Sequence, residues 1–283
     1  MFVCINGKFL LQNNAVVSAF DNGFLYGDGV YETMRTYQGV IFELDIHLKR
    51  LQKSANGIGL RLAWPVTKIK QWANKLVKLN NAKVARIRIT LTRGVNDFDF
   101  NTCKNQTLMI HSEKLKIKPE VYKNGVAVVT MKLQRILPEI KTIGLTHMIQ
   151  AYRAFDPKKV AEAIIIDKKN FVKEGASTNV FVVNDGMIFT PKNGILVGTT
   201  RNRVIDLAQK NGFKVAVKDF KADKLSLADE IFLTNRPREI IPVTKLNGKK
   251  VGSGKVGKVT QKLMQAYQNY VKNYVETHRL KTA

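Results

Sequence analysis

Lys141 lies in a segment whose composition favours covalent chemistry at an amine. Its neighbours, from Pro138 to Gly144, are mostly apolar or small, which predicts partial burial of the lysine side chain. Burial disfavours the charged form of a lysine and lowers its pKa, so that the neutral amine can act as a nucleophile or a base. The alternative is a solvated surface charge, the usual state of a lysine in so basic a chain.

A second stretch, from Gly194 to Arg201, could bind an anion. It leads directly into a predicted helix, and the first backbone N–H groups of a helix have no intrahelical partner. At Gly198, Thr199 and Thr200 these groups, together with the helix dipole, form a natural site for a phosphate. A plain threonine-capped helix start is the alternative.

Glu174 is an acid between two apolar, strand-like segments and needs a partner there. A turn acid at the end of a strand is the alternative interpretation of this position. The glycine pair at Gly27 and Gly29 indicates a tight turn, because the chain contains neither GxxxxGK[ST] nor GxGxxG.

The composition is that of a folded protein large enough for two domains. The chain has 283 residues and a mass of 31.9 kDa, with 45% hydrophobic and 24% charged residues. These values exclude disordered, collagenous and low-complexity classes. Two cysteines, Cys4 and Cys103, exclude a disulfide scaffold and the usual structural zinc patterns. With no apolar run of about 18 residues and no signal-peptide pattern, we expect a cytoplasmic protein that does not span a membrane.

The formal net charge is +25, from 47 Lys and Arg against 22 Asp and Glu. The basic residues are spread along the whole chain, which favours a solubilising surface over a dedicated nucleic-acid site. Zinc-finger, RNP-type and basic-heptad signatures are missing from the sequence. We therefore do not expect nucleic-acid binding, although a positive field would attract anionic small molecules.

The first third of the chain predicts strands followed by helices. A glycine-rich loop is expected over residues 21–29. Periodicity and turn residues predict a hairpin over 1–12, a hairpin around Gln38-Gly39, a helix capped by Asp45, a helix over 67–79, and strands over 84–92 and 107–112.

Residues 116–124 are polar, contain Pro119 and predict a linker between a domain over 1–115 and a domain over 125–283. The second part predicts strands over 126–133, 163–167, 171–174, 179–183, 187–190, 214–217 and 230–234, and helices over 199–211 and 261–281. The fold class is therefore α+β with two domains, a smaller N-terminal α/β domain and a larger C-terminal domain with mixed strands and helices.

A set of short motifs runs through nearly the whole chain in a fixed order. They are Tyr26-Gly27-Asp28-Gly29-Val30-Tyr31-Glu32, 47–51, 140–142, 174–181, Thr190-Pro191, 194–196, 198–201, 228–235 and Pro242-Val243. Each motif is weak alone, but the ordered set resembles the fold-type IV pyridoxal-phosphate enzymes. These are the branched-chain and D-amino-acid aminotransferases and aminodeoxychorismate lyase. The resemblance implies a β-barrel-like C-terminal domain and a cofactor in the cleft between the domains.

The resemblance also implies roles for individual residues around pyridoxal 5'-phosphate. Lys141 would carry the Schiff base and shuttle protons, and Glu174 would keep the pyridine nitrogen protonated. Arg50 would bind the phosphate, whereas His47 is expected to be structural. The remaining implied cofactor ligands are Gly198, Thr199, Thr200, Thr234 and Asn235, and the implied substrate residues are Tyr26, Tyr31 and Arg88.

The implied reaction moves an amino group between an amino acid and a 2-oxo acid, in an enzyme expected to be a homodimer. Arg88 matches the arginine of the Tyr-x-Arg strand of branched-chain aminotransferases, but Arg86 replaces the tyrosine. The arginine and histidine that D-amino-acid aminotransferases carry after an Arg-Gly turn are missing after Arg93-Gly94. Two alternatives remain, an aminodeoxychorismate lyase forming p-aminobenzoate and pyruvate, and a basic nucleic-acid-binding protein on a vestigial enzyme fold.

Overall fold

The computed structural model describes residues 1–96, 100 and 102–279, and it divides the chain into two compact units. The first unit contains Met1–Lys116, Ile140–Gly144 and the described residues from Val271 onwards. The second unit contains Ile117–Glu139 and Leu145–Tyr270. The predicted ranges 1–115 and 125–283 differ from this division because two segments distant in sequence pack with the N-terminal strands.

Among the described residues, the first unit is built on a six-stranded antiparallel sheet with helices packed on it. In space the strands follow the order β2-β1-β6-β5-β3-β4. They are β1 (Phe2–Ile5), β2 (Lys8–Leu11), β3 (Gly29–Tyr37), β4 (Val40–Ile41), β5 (Ala85–Thr92) and β6 (Thr107–Lys114). The helices are α1 (Asn22–Tyr26), α2 (Leu44–Asn56) and α3 (Val66–Leu79). The two predicted hairpins and the predicted strands of this region are confirmed.

Strand β5 shows why this sheet has two different faces. Ile87, Ile89 and Leu91 are fully buried in the core that α2 and α3 complete. Arg86 and Arg88 alternate with them and lie on the other face, where they are exposed and half-buried respectively. Because successive strand residues point to opposite faces, the alternating sequence gives the sheet one apolar and one cationic face.

The predicted cap of helix α2 is wrong. The helix begins at Leu44, and the cap position belongs to Glu43, whose backbone is in the left-handed region with φ 53°. Asp45 instead lies in the first turn, where its carboxylate accepts a hydrogen bond from Lys70 Nζ at 2.7 Å. An acid still suits this position, because it faces the positive end of the helix dipole.

The glycine-rich stretch over residues 21–29 is not a loop throughout. The Asp21 carboxylate accepts a hydrogen bond from the Gly23 N–H at 2.7 Å and so caps the single-turn helix α1. The helix ends at Gly27, whose φ of 69° is a conformation that glycine adopts readily. The motif therefore forms a short helix followed by a tight turn into β3.

Arg93 is a buried arginine that ties the end of β5 to three surrounding segments. Its Nε donates to the Asp28 carboxylate at 2.6 Å, and its other nitrogens donate to the carbonyls of Ile58 at 3.0 Å and Thr102 at 3.3 Å. We expect Arg93→Ala to lower the free energy of unfolding by about 3 kcal/mol, because the Asp28 charge loses its partner. Urea unfolding measures this loss, with the exposed Arg61→Ala as control; equal losses in the two variants would contradict the assignment.

Among the described residues, the second unit is built on a nine-stranded mixed sheet. The strands follow the order β12-β11-β10-β13-β14-β7-β8-β9, with β15 paired to β14. They are β7 (Val126–Lys132), β8 (Glu162–Ile166), β9 (Val172–Gly175), β10 (Asn179–Asn184), β11 (Met187–Thr190), β12 (Val215–Val217), β13 (Glu230–Asn235), β14 (Glu239–Leu246) and β15 (Lys249–Lys250). The later helices are α4 (Pro119–Asn124), α5 (Thr146–Arg153), α6 (Thr199–Lys210), α7 (Asp223–Ser226) and α8 (Lys258–Arg279).

This sheet curls on itself, as the predicted barrel-like domain requires. Strand β7 pairs in parallel with both β8 and β14, and β11 pairs in parallel with β12, whereas the other pairs are antiparallel. Strand β9, at one end of the order, also packs against β10 near the other end. The enclosed core contains buried apolar side chains such as Val128, Ile164, Val180, Val182 and Ile241.

Several features of the second unit differ from the sequence-based expectations, including the short elements α7 and β15, which were not predicted. The segment predicted as a linker carries α4, which packs on β14. The Tyr122 hydroxyl of α4 donates to the carbonyl of Arg238, the residue before β14, at 3.0 Å. Helix α5 was not predicted. Strand β14 was also missed because it contains Pro242, which pairs opposite Phe232 although proline usually argues against a strand.

The C-terminal helix begins three residues earlier than the predicted start at residue 261. The Glu230 carboxylate of β13 explains this, because it accepts hydrogen bonds from the Val259 and Thr260 N–H groups at 2.9 and 2.8 Å. The predicted end at residue 281 lies outside the described residues. Within the described part of the chain, every helix is too short or too polar to cross a membrane.

Candidate active site

Lys141 is fixed by a segment that pairs with the start of β3. The Tyr31 N–H donates to the Lys141 carbonyl at 2.9 Å, and the Ile143 N–H donates to the Gly29 carbonyl at 3.0 Å. The Lys141 N–H donates in turn to the Ser54 hydroxyl of α2 at 3.3 Å. The backbone around the lysine is therefore tied to β3 and α2, so its side chain starts from a fixed position.

The ammonium group of Lys141 lies over an aromatic ring that also contacts an arginine. Lys141 is half-buried, and its Nζ is 4.4 Å from the ring centroid of Tyr31. The guanidinium carbon of Arg88 is 3.8 Å from the same centroid. Aromatic rings attract cations, and Tyr31 therefore holds an amine and a guanidinium close together. Three of the predicted site residues meet in this cluster.

Arg88 extends along the cationic face of the first sheet, directly opposite His111 of β6. Its Nε donates to the Thr90 hydroxyl at 3.1 Å. Burial lowers the pKa of the Arg88 guanidinium, and burial also lowers the pKa of His111. An arginine nevertheless stays charged at neutral pH, so Arg88 offers a permanent cation of the geometry that suits a carboxylate.

Arg50, the predicted phosphate ligand, projects from α2 and is held by Glu32 of β3. Its Nε donates to Glu32 Oε1 at 2.7 Å and its Nη2 donates to Glu32 Oε2 at 2.8 Å. His47 Nδ1 lies 2.7 Å from Glu32 Oε2, which agrees with the expected structural role of His47. Burial alone would raise the pKa of Glu32, but the charges and hydrogen bonds of Arg50 and His47 hold it well below its usual range.

Tyr26, a predicted substrate residue, is the last residue of α1. It is exposed at the end of α1, and its ring packs edge-on against Phe100 at a centroid distance of 5.7 Å. Its role as a substrate residue stays a prediction.

In the second unit, Glu174 has the partner that its position requires. Its Oε1 accepts a hydrogen bond from Arg135 Nη1 at 2.7 Å, and its Oε2 accepts one from the Leu196 N–H at 3.0 Å. The carboxylate lies at the end of β9 and is 8% exposed. Sequence reasoning did not identify Arg135, because the need for a partner does not say where in the chain that partner lies.

The start of α6, where the sequence predicts an anion site, carries a buried hydroxyl that has no hydrogen-bond partner among the described residues. Gly198 holds the cap position with an extended backbone, and Thr199 and Thr200 form the first turn. Both threonines are buried. The Thr200 hydroxyl and the Thr234 hydroxyl of the adjacent strand β13 are buried without a hydrogen-bond partner among the described residues. Buried polar groups are normally paired, so these two hydroxyls fit a ligand that accepts hydrogen bonds.

Glycine is required at residue 198 by the close approach of Asn179. A Cβ atom at Gly198 would come within 2.0 Å of Asn179 Oδ1, and that amide is fixed by its donation to the Leu196 carbonyl at 2.8 Å. We expect Gly198→Ala to cost about 1–3 kcal/mol of unfolding free energy, since the side chain must displace a packed neighbour. The matched variant Gly144→Ala projects into open space and should change stability by less than about 0.5 kcal/mol. Thermal unfolding that ranks the two variants equally would contradict this expectation.

Asn235 builds the turn between β13 and β14. Its Oδ1 accepts a hydrogen bond from the Arg238 N–H at 2.9 Å, and its Nδ2 donates to the Ser177 carbonyl at 3.4 Å. Arg238 and Ser177 also meet the fully buried Glu162, at 2.9 and 2.8 Å. Sequence reasoning missed this polar cluster, and the role of Asn235 as a phosphate ligand stays a prediction.

Comparisons with known proteins show the family to which the chain belongs. The family model described as amino-transferase class IV matches residues 29–246. A D-alanine aminotransferase of Bacillus licheniformis is 33% identical over 276 residues, which cover 96% of this chain and 97% of the relative. A Methanocaldococcus jannaschii protein, named as a candidate branched-chain-amino-acid aminotransferase, is 33% identical over 276 residues, covering 95% of this chain and 96% of the relative.

Solved structures share the fold. A branched-chain amino acid aminotransferase from T.th., solved with pyridoxamine 5'-phosphate, matches with a TM-score of 0.91 and 25% identity, covering 96% of this chain and 94% of that chain. The 4-amino-4-deoxychorismate lyase of Pseudomonas aeruginosa matches with a TM-score of 0.82 at 22% identity, covering 94% and 98%, and shows the fold alone.

The fold is therefore that of the fold-type IV pyridoxal-phosphate enzymes. Within that class, the family model that matches residues 29–246 describes aminotransferases. The relative that is 33% identical over nearly its full length is also an aminotransferase. The chain belongs to the class IV aminotransferases and is an aminotransferase.

Proposed function

We propose that this aminotransferase binds pyridoxal 5'-phosphate and moves an amino group between an amino acid and a 2-oxo acid. When bound, the cofactor supplies an aldehyde that takes up the amino group and a ring that withdraws electrons. The observation that carries the proposal is the cluster in which one Tyr31 ring contacts Lys141 Nζ at 4.4 Å and Arg88 at 3.8 Å. A nucleophilic amine beside a carboxylate-binding cation suits an amino-acid substrate.

Lys141 is the residue proposed to attach the cofactor and to move the substrate proton. Its backbone hydrogen bonds to Tyr31 and Ser54 limit the positions that its Nζ can reach. A base that acts on a defined carbon must lie within hydrogen-bond distance of the proton it removes. The fixed backbone therefore supports this role.

Glu174 is proposed to hold a proton on the ring nitrogen of the cofactor. A carboxylate can do this only while it carries its own negative charge, and Arg135 supplies the compensating positive charge at 2.7 Å. The Leu196 N–H fixes the second oxygen at 3.0 Å, so the carboxylate has a single orientation. A fixed negative charge beside the ring favours the cationic form of the ring.

Two groups are proposed as phosphate ligands, each described within its own unit: Arg50 in the first unit and the start of α6 in the second. The N–H groups of Thr199 and Thr200 follow the Gly198 cap, and the partnerless buried hydroxyls of Thr200 and Thr234 supply two more donors among the described residues. A doubly negative phosphate matches a guanidinium, a helix N-terminus and hydroxyl donors.

Spectroscopic half-reactions test the proposal. The protein is titrated with pyridoxal 5'-phosphate and then mixed with single L- or D-amino acids, without a 2-oxo acid. We expect one set of amino acids to convert the bound cofactor to its aminated form, and a 2-oxo acid to restore the original spectrum. A protein that binds the cofactor but responds to none of the amino acids would overturn the proposed substrate class.

The two alternatives have no specific observation in their favour. The lyase reaction releases pyruvate from aminodeoxychorismate without a second oxo acid, so the same experiment separates it from amino transfer. Nucleic-acid binding rested on the charge of +25 alone. The homodimer and the cytoplasmic location stay predictions. Sedimentation of the pure protein measures its oligomeric state.

A further inference from the structure

Glu32 is a buried acid to which the proposed function assigns no role. It lies on β3 with its side chain fully buried, and both oxygens are engaged. Oε1 accepts from Arg50 Nε at 2.7 Å, and Oε2 accepts from Arg50 Nη2 at 2.8 Å and lies 2.7 Å from His47 Nδ1. A carboxylate removed from water is costly unless it is paired in this way.

The contact between Glu32 and Arg50 is a two-bond fork that fixes the plane of the guanidinium group. Such bidentate pairs add geometric definition to a charge-assisted contact. An arginine side chain otherwise samples many rotamers, and ordering it when a ligand binds opposes the binding. The fork occupies the Nε–Nη2 edge of Arg50, so a phosphate must approach the guanidinium from its other side.

We propose that Glu32 is a positioning residue for the cofactor phosphate, because it orders Arg50 before the phosphate arrives. His47 lies on the same helix as Arg50, and its Nδ1 is 2.7 Å from Glu32 Oε2, so it helps to fix the Glu32 carboxylate. The inference rests on the proposed function, since it takes Arg50 to be the phosphate ligand. It places a residue of β3 behind Arg50, the proposed phosphate ligand of α2, where it acts through the guanidinium group and does not touch the phosphate.

The direction in which phosphate affinity changes when Glu32 is neutralised distinguishes the ordering of Arg50 from a purely electrostatic effect. The negative charge of Glu32 offsets the positive charge of Arg50, so electrostatics alone predicts that a neutral residue at position 32 strengthens phosphate binding. Ordering of Arg50 predicts the opposite, because a mobile guanidinium binds the phosphate less tightly. A role in overall folding predicts that every ligand binds less well, with or without a phosphate.

The experiment compares pyridoxal 5'-phosphate with pyridoxal, which lacks the phosphate, on cofactor-free full-length protein. The dissociation constants of the two ligands are measured for the wild type and Glu32→Gln. We expect the preference for the phosphorylated ligand to fall by about tenfold, the equivalent of one charge-assisted hydrogen bond, while the affinity for pyridoxal stays within about twofold. An unchanged or increased preference would overturn the inference, and so would equal losses for both ligands.

Further variants keep the inference testable if Glu32→Gln does not fold. His47→Gln leaves the Glu32–Arg50 fork in place but removes its support, and should lower the preference by a smaller factor. Asp45→Asn, which alters an exposed acid on the same helix, is the matched control and should leave the preference unchanged. If no Glu32 variant folds, a wild-type preference of His47→Gln for pyridoxal 5'-phosphate over pyridoxal would overturn the inference. A wild type that does not prefer the phosphorylated ligand would instead overturn the proposed function itself.

Discussion

Replacing Lys141 with alanine should abolish covalent attachment of the cofactor and lower turnover by more than about 10⁴-fold, the upper range of what a general acid–base residue contributes. The reason is that the variant loses both the amine that attaches the cofactor and the base that moves the substrate proton. Borohydride reduction of the loaded protein, followed by peptide mass spectrometry, locates the attachment. The wild type should carry the cofactor mass on the peptide that contains Lys141.

The matched control is Lys78→Ala, which removes an exposed lysine from α3. Its attachment and turnover should equal those of the wild type, because α3 packs on the apolar face of the first sheet, whereas Arg88 and the Tyr31 cluster lie on the cationic face. Cofactor mass on another peptide, or normal turnover in Lys141→Ala, would contradict the assignment of Lys141.

Replacing Glu174 with glutamine should lower kcat by about 100-fold or more, with the cofactor still attached through Lys141. The amide has nearly the same volume and can still accept the Leu196 N–H, but it has no charge with which to hold a proton on the ring nitrogen. Stopped-flow half-reactions with a single amino acid measure the chemical step directly. The loss should therefore lie in the rate of that step, with a small change in substrate affinity.

Arg135 provides a second test of the same group. Arg135→Lys keeps a positive charge near Glu174 but cannot reproduce the planar donor geometry, so its rate should lie between those of the wild type and Glu174→Gln. Asp167→Asn, which alters an ion pair with Lys173 on the same unit, serves as control. If Glu174→Gln reacts at the wild-type rate, the acid beside the ring nitrogen is a different residue.

The elements with a strong local pattern were predicted from the sequence. The alternation around Ile87 and Ile89 is enough to define β5, because one face of a strand must be apolar to be buried. Helix α6 is similarly defined by Gly198 before it and by Gly212 after it, whose φ is 80°. The turn between the predicted strands over 179–183 and 187–190 contains Asp185 and Gly186, whose positive φ values suit these residue types.

The parts of the site that depend on pairing over long distances could not be predicted. Glu174 and Arg135 are 39 residues apart, and Lys141 and Ser54 are 87 residues apart. A single sequence gives the chemical need for a partner but no register between distant segments. The Tyr31 cluster is a further example, because Arg88 and Lys141 meet there only after β5 and the segment of Lys141 have both joined β3.

The order in which the ribosome delivers the chain has a consequence for the first unit. Its sheet is complete at β6, but Ile140–Gly144 is synthesised afterwards and the part of α8 from Val271 much later still. That part of α8 buries Val275 and places Tyr274 edge-on against Phe42 at 4.8 Å. A nascent chain stopped after residue 116 would therefore leave the apolar surface around Phe42 uncovered and would lack Lys141. The first unit can therefore complete its apolar packing only when nearly the whole chain has been synthesised.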